Sequence, residues 1–342
     1  MSSLKDSEIS QTLDVANAGA RYDAAARKLV AQKSILAYIL KSTMDEFADV
    51  PVKRIAEELI EDFPSVSEMA VFQDTPDILP AKKRSLSGSS RIHEMPTEDV
   101  SVREGTVRYD IRFLVRLPHD EERIEIIVNI EIQNKDKPGY PLPKRGIYYG
   151  SRMISAQRGT IFKDQEYGKI KKVVSIWICE NTAVSRSDSI NEYLFTERCR
   201  RGEYREEKSN YDLMRIIVMR LGAEGENSED DAIRLLSSMF SPRHSAEDKK
   251  KLLSEKFHIN VTEEIGQEVS QMCNLSTGIF ESGMEKGIEK GIEKGIEKGI
   301  EKGTLETLFA LVKKGLLSVT NAAQQVNMEP AVFEEKYRAF YG

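Results

Sequence analysis

The sequence has few cysteines and no long apolar run, and each absence excludes a class of protein. Its 342 residues include only Cys179, Cys199 and Cys273, an odd number without the spacing of metal ligands. The odd number argues against a disulfide framework, and a reduced, cytoplasmic protein is expected. The apolar run Ile35–Leu40 is too short to span a bilayer, and the first residues lack the core of a signal peptide.

The chain also has little excess charge of either sign. Its formal net charge is −6, so the overall balance gives no indication of nucleic-acid binding. The charge is unevenly distributed, however, because the segment 135–172 carries ten lysines and arginines against three acids. This basic segment is typical of a surface that faces phosphates, and equally of a solvated helix face with its loops.

The apolar residues, 40% of the chain, are sufficient for a sizeable core, and their pattern predicts a mixture of helices and strands. Helical spacing predicts a helix over 22–47, a shorter one over 52–62 and another over 143–158. The continuous apolar run Val173–Cys179 is typical of a strand buried on both faces. These elements together predict a mixed α/β core.

Two segments, Val107–Arg116 and Arg123–Gln133, alternate strictly between apolar and polar residues and predict a β-hairpin. If they fold back at the polar turn between them, the residue numbers of two facing residues add up to about 241. This pairing places Asp110 opposite Glu131. Like charges at that spacing repel, and a hard divalent cation relieves the repulsion by binding carboxylate oxygens. Gln133 points to the same side as Glu131. The pattern predicts a metal site.

The C-terminal part contains a low-complexity segment. Four copies of Gly-Ile-Glu-Lys follow Gly283-Met284-Glu285-Lys286 and end at Lys302. This segment can be a helical stalk that pairs with another copy of the chain, or a charge-balanced spacer. The spacer is favoured, because a low-complexity assignment depends on composition alone. Short helices predicted after the repeat form either a helix-turn-helix or a small oligomerisation cap. Without a basic recognition helix, the cap is favoured.

The strand residues resemble a known family. Asp110 on one strand and Glu131-Ile132-Gln133 at the end of the next resemble the PD-(D/E)XK nuclease superfamily, and more narrowly its bacterial recombination-promoting nucleases and transposases. The resemblance covers about residues 20–200. It includes the helical start at 22–47, the late Glu-Lys-Gly repeats, and the segments Lys144–Tyr149, Gln157 and Tyr167.

The resemblance implies a PD-(D/E)XK restriction-endonuclease-like α/β core, a mixed sheet flanked by helices, with a helical C-terminal extension. We therefore divide the chain into five parts. They are a flexible N-terminus at 1–20, a nuclease-like domain at 21–205, a helical region at 206–280, the repeat stalk at 281–303 and a helical cap at 304–342.

The implied function is a metal-dependent DNA endonuclease linked to recombination or mobile elements. Its expected partner is DNA, and no association with a membrane is expected. Asp110 and Glu131 would hold Mg²⁺ or Mn²⁺, which polarises the scissile phosphodiester and activates a water. Many family members have a lysine where this chain has Gln133, which can orient the water by hydrogen bonding but cannot take its proton. Three further residues are expected to contact DNA: Lys144, Arg145 and Gln157.

Other interpretations stay open at this stage. Asp110 and Glu131 can be exposed hairpin residues paired with Arg108 and Arg112. The chain can be a non-catalytic nucleic-acid-binding relative of the nucleases, or a scaffold that forms a homo-oligomer through the repeat and cap. Glu46 can add an acidic group to the site, although a solvated surface glutamate is the more ordinary interpretation.

Overall fold

The computed structural model describes most of the chain in two compact units, Met1–Thr277 and Gly278–Gly342, each with its own apolar core. The first sixteen residues of the predicted flexible N-terminus lie outside the described residues, and so do residues 119–124, which include most of the predicted hairpin turn at 117–122. The described residues are 17–61, 64–67, 98–101, 105–118, 125–222 and 224–342.

The described part of the first unit starts with helices. They are α1 (residues 17–30), α2 (Lys33–Thr43), a 3₁₀ turn (Asp45–Phe47) and α3 (Val52–Arg54), which continues as a π-helical turn over Ile55–Leu59. The single helix predicted over 22–47 is therefore wrong. The chain breaks before α2, where Gln32 adopts an extended backbone with φ −64° and ψ 126°. Buried apolar residues continue on both sides of this break, so the spacing of apolar residues alone does not reveal it.

A six-stranded mixed sheet forms the centre of this unit, in the order β1-β4-β5-β6-β8-β7. The strands β5, β6 and β8 are parallel to one another, and the outer pairs are antiparallel. The predicted mixed sheet flanked by helices is confirmed. The strands of this sheet are β1 (Ser65–Val66), β4 (Ile111–Arg116), β5 (Glu125–Lys135), β6 (Val173–Asn181), β7 (Ser189–Leu194) and β8 (Met214–Arg220).

The antiparallel register predicted for the hairpin is confirmed, because Ile111 lies opposite Ile130 and Arg116 opposite Glu125. The single strand predicted at Val107–Arg116 is wrong, however. It is two strands, β3 (Gly105–Arg108) and β4, and β3 pairs with β2 (Glu98–Ser101) in a separate two-stranded sheet. The chain changes direction at Tyr109-Asp110, so that residues before and after this point bury on opposite faces of the sheet.

Helices cover both faces of the central sheet. One face packs against α1, α2, α5 (Asp231–Phe240), α6 (Ala246–Glu255) and the start of α7 (Glu263–Lys313), and the other against α4 (Leu142–Ser155). Two glycines let α4 approach the sheet closely. A Cβ atom on Gly146 would lie 2.4 Å from Ile216 Cγ2, and one on Gly150 would lie 2.5 Å from Met214 Sδ.

The helical region predicted at 206–280 contains a strand, so that prediction is wrong for Met214–Arg220. These residues form β8, which is buried along nearly its whole length between β6 and β7. A short continuous apolar run is compatible with a buried strand and with a buried helix, and the sequence alone does not separate them.

The second unit consists of α7 from Gly278 onward, α8 (Val319–Gln325) and α9 (Pro330–Tyr341). Its small core is built from Leu308, Phe309, Ala322, Ala323 and Phe333. The helices predicted after the repeat are present, and the Ser318 hydroxyl accepts the Asn321 N–H at 3.2 Å as the cap of α8. Along the repeat, the isoleucine side chains are exposed by 56–65%.

We expect Gly146→Ala to destabilise the first unit. Overpacking costs about 1–3 kcal/mol, which exceeds the gain of about 1 kcal/mol from replacing a helical glycine. Ile216 is branched and lies in a buried strand, so it cannot turn away from the added methyl group. Urea unfolding should show a lower free energy for this variant. Gly291→Ala is the matched control, because nothing lies within 4 Å of a Cβ atom there. An unchanged midpoint for Gly146→Ala would contradict the proposed close packing.

Candidate functional site

Asp110 and Glu131 lie side by side where the ladder between β4 and β5 ends. Beyond the last pair, the Glu131 carboxylate accepts the backbone N–H of Asp110 (N to Oε1, 3.2 Å). In return, the Asp110 carboxylate accepts the backbone N–H of Ile132 (N to Oδ2, 3.0 Å). Two side chains thus take the place of the carbonyl groups that would continue the ladder. These reciprocal bonds fix the position of both carboxylates.

Both carboxylates are buried, which excludes the interpretation of Asp110 and Glu131 as exposed hairpin residues. Asp110 is 4% exposed and Glu131 is 1% exposed. The basic partner of Asp110 is Arg27 on α1, with its Nη1 3.4 Å from Oδ1. Arg112, expected as a partner in the exposed interpretation, instead has its guanidinium 5.0 Å from the ring centre of Tyr109.

The burial changes how this pair of acids ionises. Burial raises the pKa of Glu131 well above its ordinary value, and the charge of Asp110 raises it further, against the opposing effect of Arg145. Burial also raises the pKa of Asp110, although Arg27 acts in the opposite direction. Without a further cation, the pair therefore holds on to a proton more strongly than ordinary carboxyl groups do.

Asn129 is a site residue that the sequence analysis missed. It lies two residues before Glu131 on the same face of β5, is fully buried, and its Nδ2 donates to Glu131 Oε1 at 3.0 Å. Oε1 therefore accepts two hydrogen bonds, while Oε2 accepts none among the described residues. The signal was available in the alternation of the strand, which places a polar side chain beside Glu131.

Helix α1 adds a further acid to the site, and this residue is Asp23 rather than Glu46. Asp23 raises the pKa of Asp110, so the two carboxylates lie within electrostatic range. It also acts on Glu180 at the end of β6, where burial first and Asp23 second raise the pKa to about 7. The Tyr22 hydroxyl donates to Glu180 at 3.3 Å. The carboxylates at this edge of the sheet thus come from α1, β5, β6 and the turn before β4.

Glu46 lies at the other end of the sheet. It is half-buried, 3.1 Å from Lys172 Nζ and 3.0 Å from an Arg215 nitrogen, so its interpretation as a solvated surface residue is wrong. Lys172 also pairs with Asp212 at 2.7 Å, and the neighbouring Lys171 pairs with Glu125. Part of the basic segment 135–172 is therefore used in ion pairs within the protein.

Arg145 and Lys144, both in the first turns of α4, have different surroundings. The Arg145 guanidinium lies 5.4, 5.1 and 5.3 Å from the ring centres of Tyr140, Tyr149 and Trp177. It donates to the Tyr149 hydroxyl at 2.8 Å and to the Tyr140 hydroxyl. Lys144 is exposed and makes no ion pair within the described part of the chain.

The two glutamines expected in the site are far apart. Gln133 is half-buried at the end of β5, two residues beyond Glu131, and its side chain makes no hydrogen bond to any described residue. Gln157 lies beyond the end of α4, and its amide bonds the backbone of Lys171 in both directions, at 2.9 and 2.8 Å. Lys171 precedes β6, at the end of the sheet opposite to the carboxylates, so the structure does not bring Gln157 to Asp110 and Glu131.

The donor atoms of the site suit a hard divalent cation. Asp110 and Glu131 offer carboxylate oxygens, which Mg²⁺ and Mn²⁺ prefer, and a dication would remove the repulsion between the two buried acids. The described residues contain no group of three or more histidine, cysteine, aspartate or glutamate side chains arranged to hold a metal ion. Beside these two carboxylates, water, backbone or substrate oxygens can complete the shell of such an ion.

Comparison with known proteins agrees with this geometry. A model of the PD-(D/E)XK nuclease family transposases matches residues 106–263, which include Asp110, Glu131, Gln133 and the strands β4 to β8. No curated protein and no solved structure matches the chain. None of the described helices is long and apolar enough to cross a membrane. Over residues 106–263 the chain is therefore similar to the PD-(D/E)XK nuclease family transposases.

Proposed function

We propose that this protein is a metal-dependent DNA endonuclease that acts in recombination or in the movement of mobile elements. The observation that carries the proposal is the buried pair of carboxylates, Asp110 and Glu131, fixed by reciprocal hydrogen bonds within a domain of the nuclease family. Acids buried this deeply without a full set of cationic partners are unfavourable for folding, and a metal ion accounts for their presence.

The residues of the chain have separate tasks in this proposal. Asp110 and Glu131 would hold Mg²⁺ or Mn²⁺, and the ion would supply Lewis-acid chemistry at the scissile phosphodiester. Asn129 holds one oxygen of Glu131, which would leave the other oxygen to bind the ion. Arg145, held by its aromatic neighbours, provides a fixed positive charge for the developing negative charge on the phosphate.

The DNA would approach over exposed lysines at the end of β5 and the start of α4. Lys135, Lys137 and Lys144 are exposed, and none of them makes an ion pair with another described residue. Lysines in this arrangement bind phosphate groups without reading the base sequence. The role of Gln157 in substrate binding stays a prediction, and its hydrogen bonds to Lys171 support a structural role instead.

Gln133 favours one competing function, a DNA-binding relative without catalysis. A neutral amide cannot take a proton from water at neutral pH, whereas it can hold the water by hydrogen bonding. In the endonuclease proposal, Gln133 orients the attacking water and bulk solvent or the phosphate takes the proton. The two functions therefore differ in cleavage and agree in DNA binding.

We expect Asp110→Asn and Glu131→Gln to lower plasmid cleavage with Mg²⁺ or Mn²⁺ at least about 100-fold, because metal binding contributes several kcal/mol to such reactions. Calorimetry should show weaker binding of Mn²⁺ to both variants, with an unchanged circular dichroism spectrum. Glu46→Gln is the matched control, since this acid lies at the other end of the sheet. Its cleavage rate should equal that of the wild type.

A wild-type protein that cleaves no form of DNA with either metal would contradict the endonuclease proposal. Cleavage that appears only in Gln133→Lys would then identify a non-catalytic relative with an intact metal site. Cleavage by Asp110→Asn at the wild-type rate would show that the carboxylate pair is not the catalytic centre.

The raised pKa of Glu131 predicts a pH-dependent gain in stability for Glu131→Gln in the presence of EDTA. A carboxyl group whose pKa is higher in the folded chain destabilises the fold as pH rises above the unfolded value, about 4.3. Glutamine stays neutral and keeps the acceptor oxygen. Thermal unfolding should therefore show a higher midpoint for the variant at pH 8 and no difference at pH 4. Glu58→Gln, at an exposed residue of the π-helical turn, should show no such trend, and an equal gain in both variants would refute the explanation.

We further propose that the chain self-associates through its repeat and cap, and that it acts in the cytoplasm. The exposed isoleucines Ile288, Ile292, Ile296 and Ile300 favour self-association, because water-exposed apolar residues repeat along one helix. The free thiols of all three cysteines favour a reducing compartment.

Truncation after Ser282 should yield a monomer that still cleaves DNA, whereas the full chain should form dimers or larger species. Replacing the four isoleucines by glutamine keeps the length of the helix and should have the same effect as the truncation. Light scattering coupled to size exclusion measures both. A monomeric full chain would remove self-association from the proposal and leave the nuclease function untouched.

A further inference from the structure

The last residues of β7 and the exposed loop after them form a segment with aromatic residues and unpaired arginines. Four of its apolar side chains face solvent, with exposed fractions of 39% for Tyr193, 44% for Leu194, 56% for Phe195 and 74% for Tyr204. Large apolar side chains grouped in this way indicate a contact surface. We call residues 193–205 the arginine arm.

The arginine arm has a defined shape although it contains almost no regular structure. The Cys199 thiol donates to the carbonyl oxygens of Arg201 and Gly202, at 3.3 and 3.2 Å, and Gly202 adopts a positive φ of 84°. The Glu197 carboxylate accepts the backbone N–H of Glu206 at 3.2 Å and so joins the two sides of the loop. The arm therefore forms a turn with Arg200 and Arg201 at its tip.

Two acids of this loop have hydrogen-bond partners within it, whereas three of its arginines have none. Glu206, just beyond the arm, accepts the Tyr204 hydroxyl at 2.9 Å and Asn210 Nδ2 at 2.7 Å, so this acid and Glu197 are used inside the loop. The side chains of Arg198, Arg200 and Arg201 form no hydrogen bond or ion pair with any described residue. These three arginines are therefore available to the negative charges of a partner.

The arm lies away from the carboxylates. Leu194 pairs with Arg215, whereas Glu131 lies at the level of Trp177 and Val218, so the arm leaves the sheet at the opposite end of β8. The arm and Glu131 differ by three residues along the strand direction, which corresponds to about 10 Å. Across the sheet, β7 lies three strand spacings of about 4.8 Å from β5. A bound partner would contact the arm without entering the site of Asp110 and Glu131.

We propose that the arginine arm binds single-stranded DNA as a second contact, outside the catalytic site. The choice of DNA rests on the proposed nuclease function, and the choice of unpaired DNA rests on the arm itself. Arginines bind phosphates, and the exposed rings of Phe195 and Tyr204 are free to stack on bases that no complementary strand covers. Such unpaired strands arise at opened ends and at branched DNA.

Fluorescence anisotropy with a labelled oligothymidine of thirty nucleotides tests the proposal. EDTA in the buffer removes divalent metal ions, so that binding is measured without cleavage. Arg200→Ala/Arg201→Ala should weaken binding at least about tenfold at low salt and reduce the salt slope by about 1.4, for two lost phosphate contacts. Tyr204→Leu should weaken binding about fivefold or more through lost stacking. Lys250→Ala/Lys251→Ala, which removes two charges from α6, is the matched control and should bind like the wild type.

Two results would overturn the proposal. One is equal affinity and equal salt slope for the arm variants and the control. The other is a change in oligomeric state by light scattering with unchanged DNA binding, which would assign the arm to a protein partner. The outcomes stay separate from the nuclease function: arm-dependent binding by a protein that never cleaves DNA contradicts only the nuclease. A nuclease whose arm variants bind normally contradicts only the arm.

Discussion

The hydrogen bonds exchanged between Asp110 and the strand of Glu131 are the constraint on which the site depends. Each carboxylate accepts a backbone N–H from the other strand, so the same contacts close the sheet and orient the acids. A side chain moved by one residue would lose both functions together, because it would face the opposite side of the sheet. Strand register and site geometry are therefore the same property of this fold.

The cost of the arrangement is electrostatic, and several elements reduce it. Arg27 from α1 and Arg145 from α4 approach the two acids from different elements, and Asn129 adds a hydrogen bond from within β5. Even so, the pKa values of both acids stay raised, so the cations of the protein do not fully balance the acids. A site left short of positive charge is suited to bind a cation, whereas a fully neutralised one is not.

The central hairpin could be predicted from sequence because two independent signals agreed. Alternation shows which residues share a face, and the position of the turn shows which residues face each other across the two strands. These two signals together predict that Asp110 lies near Glu131. The direction change at Tyr109-Asp110 could not be predicted, since the apolar alternation continues through it. Strand β8 was missed because a buried strand and a buried helix have the same composition over seven residues.

The remaining parts of the site depend on distant segments, and for this reason a single sequence does not reveal them. Asp23 and Glu46 are both acids near the N-terminus, and only the packing of α1 against the sheet shows which one faces Asp110. Likewise, the basic composition of 135–172 does not show that Lys171 and Lys172 are paired with acids elsewhere. Composition reports charge, and the fold decides which charges are available.

The four-residue repeat gives α7 a property that the rest of the fold lacks, an adjustable length. A unit of Gly-Ile-Glu-Lys corresponds to twelve nucleotides, so the gain or loss of one copy preserves the reading frame. Each copy changes the helix by about 6 Å in length and about 40° in phase, because four residues exceed one turn of 3.6. Replication errors in the repeat would thus change the length of α7 in discrete steps, without altering a single residue of the nuclease-like core.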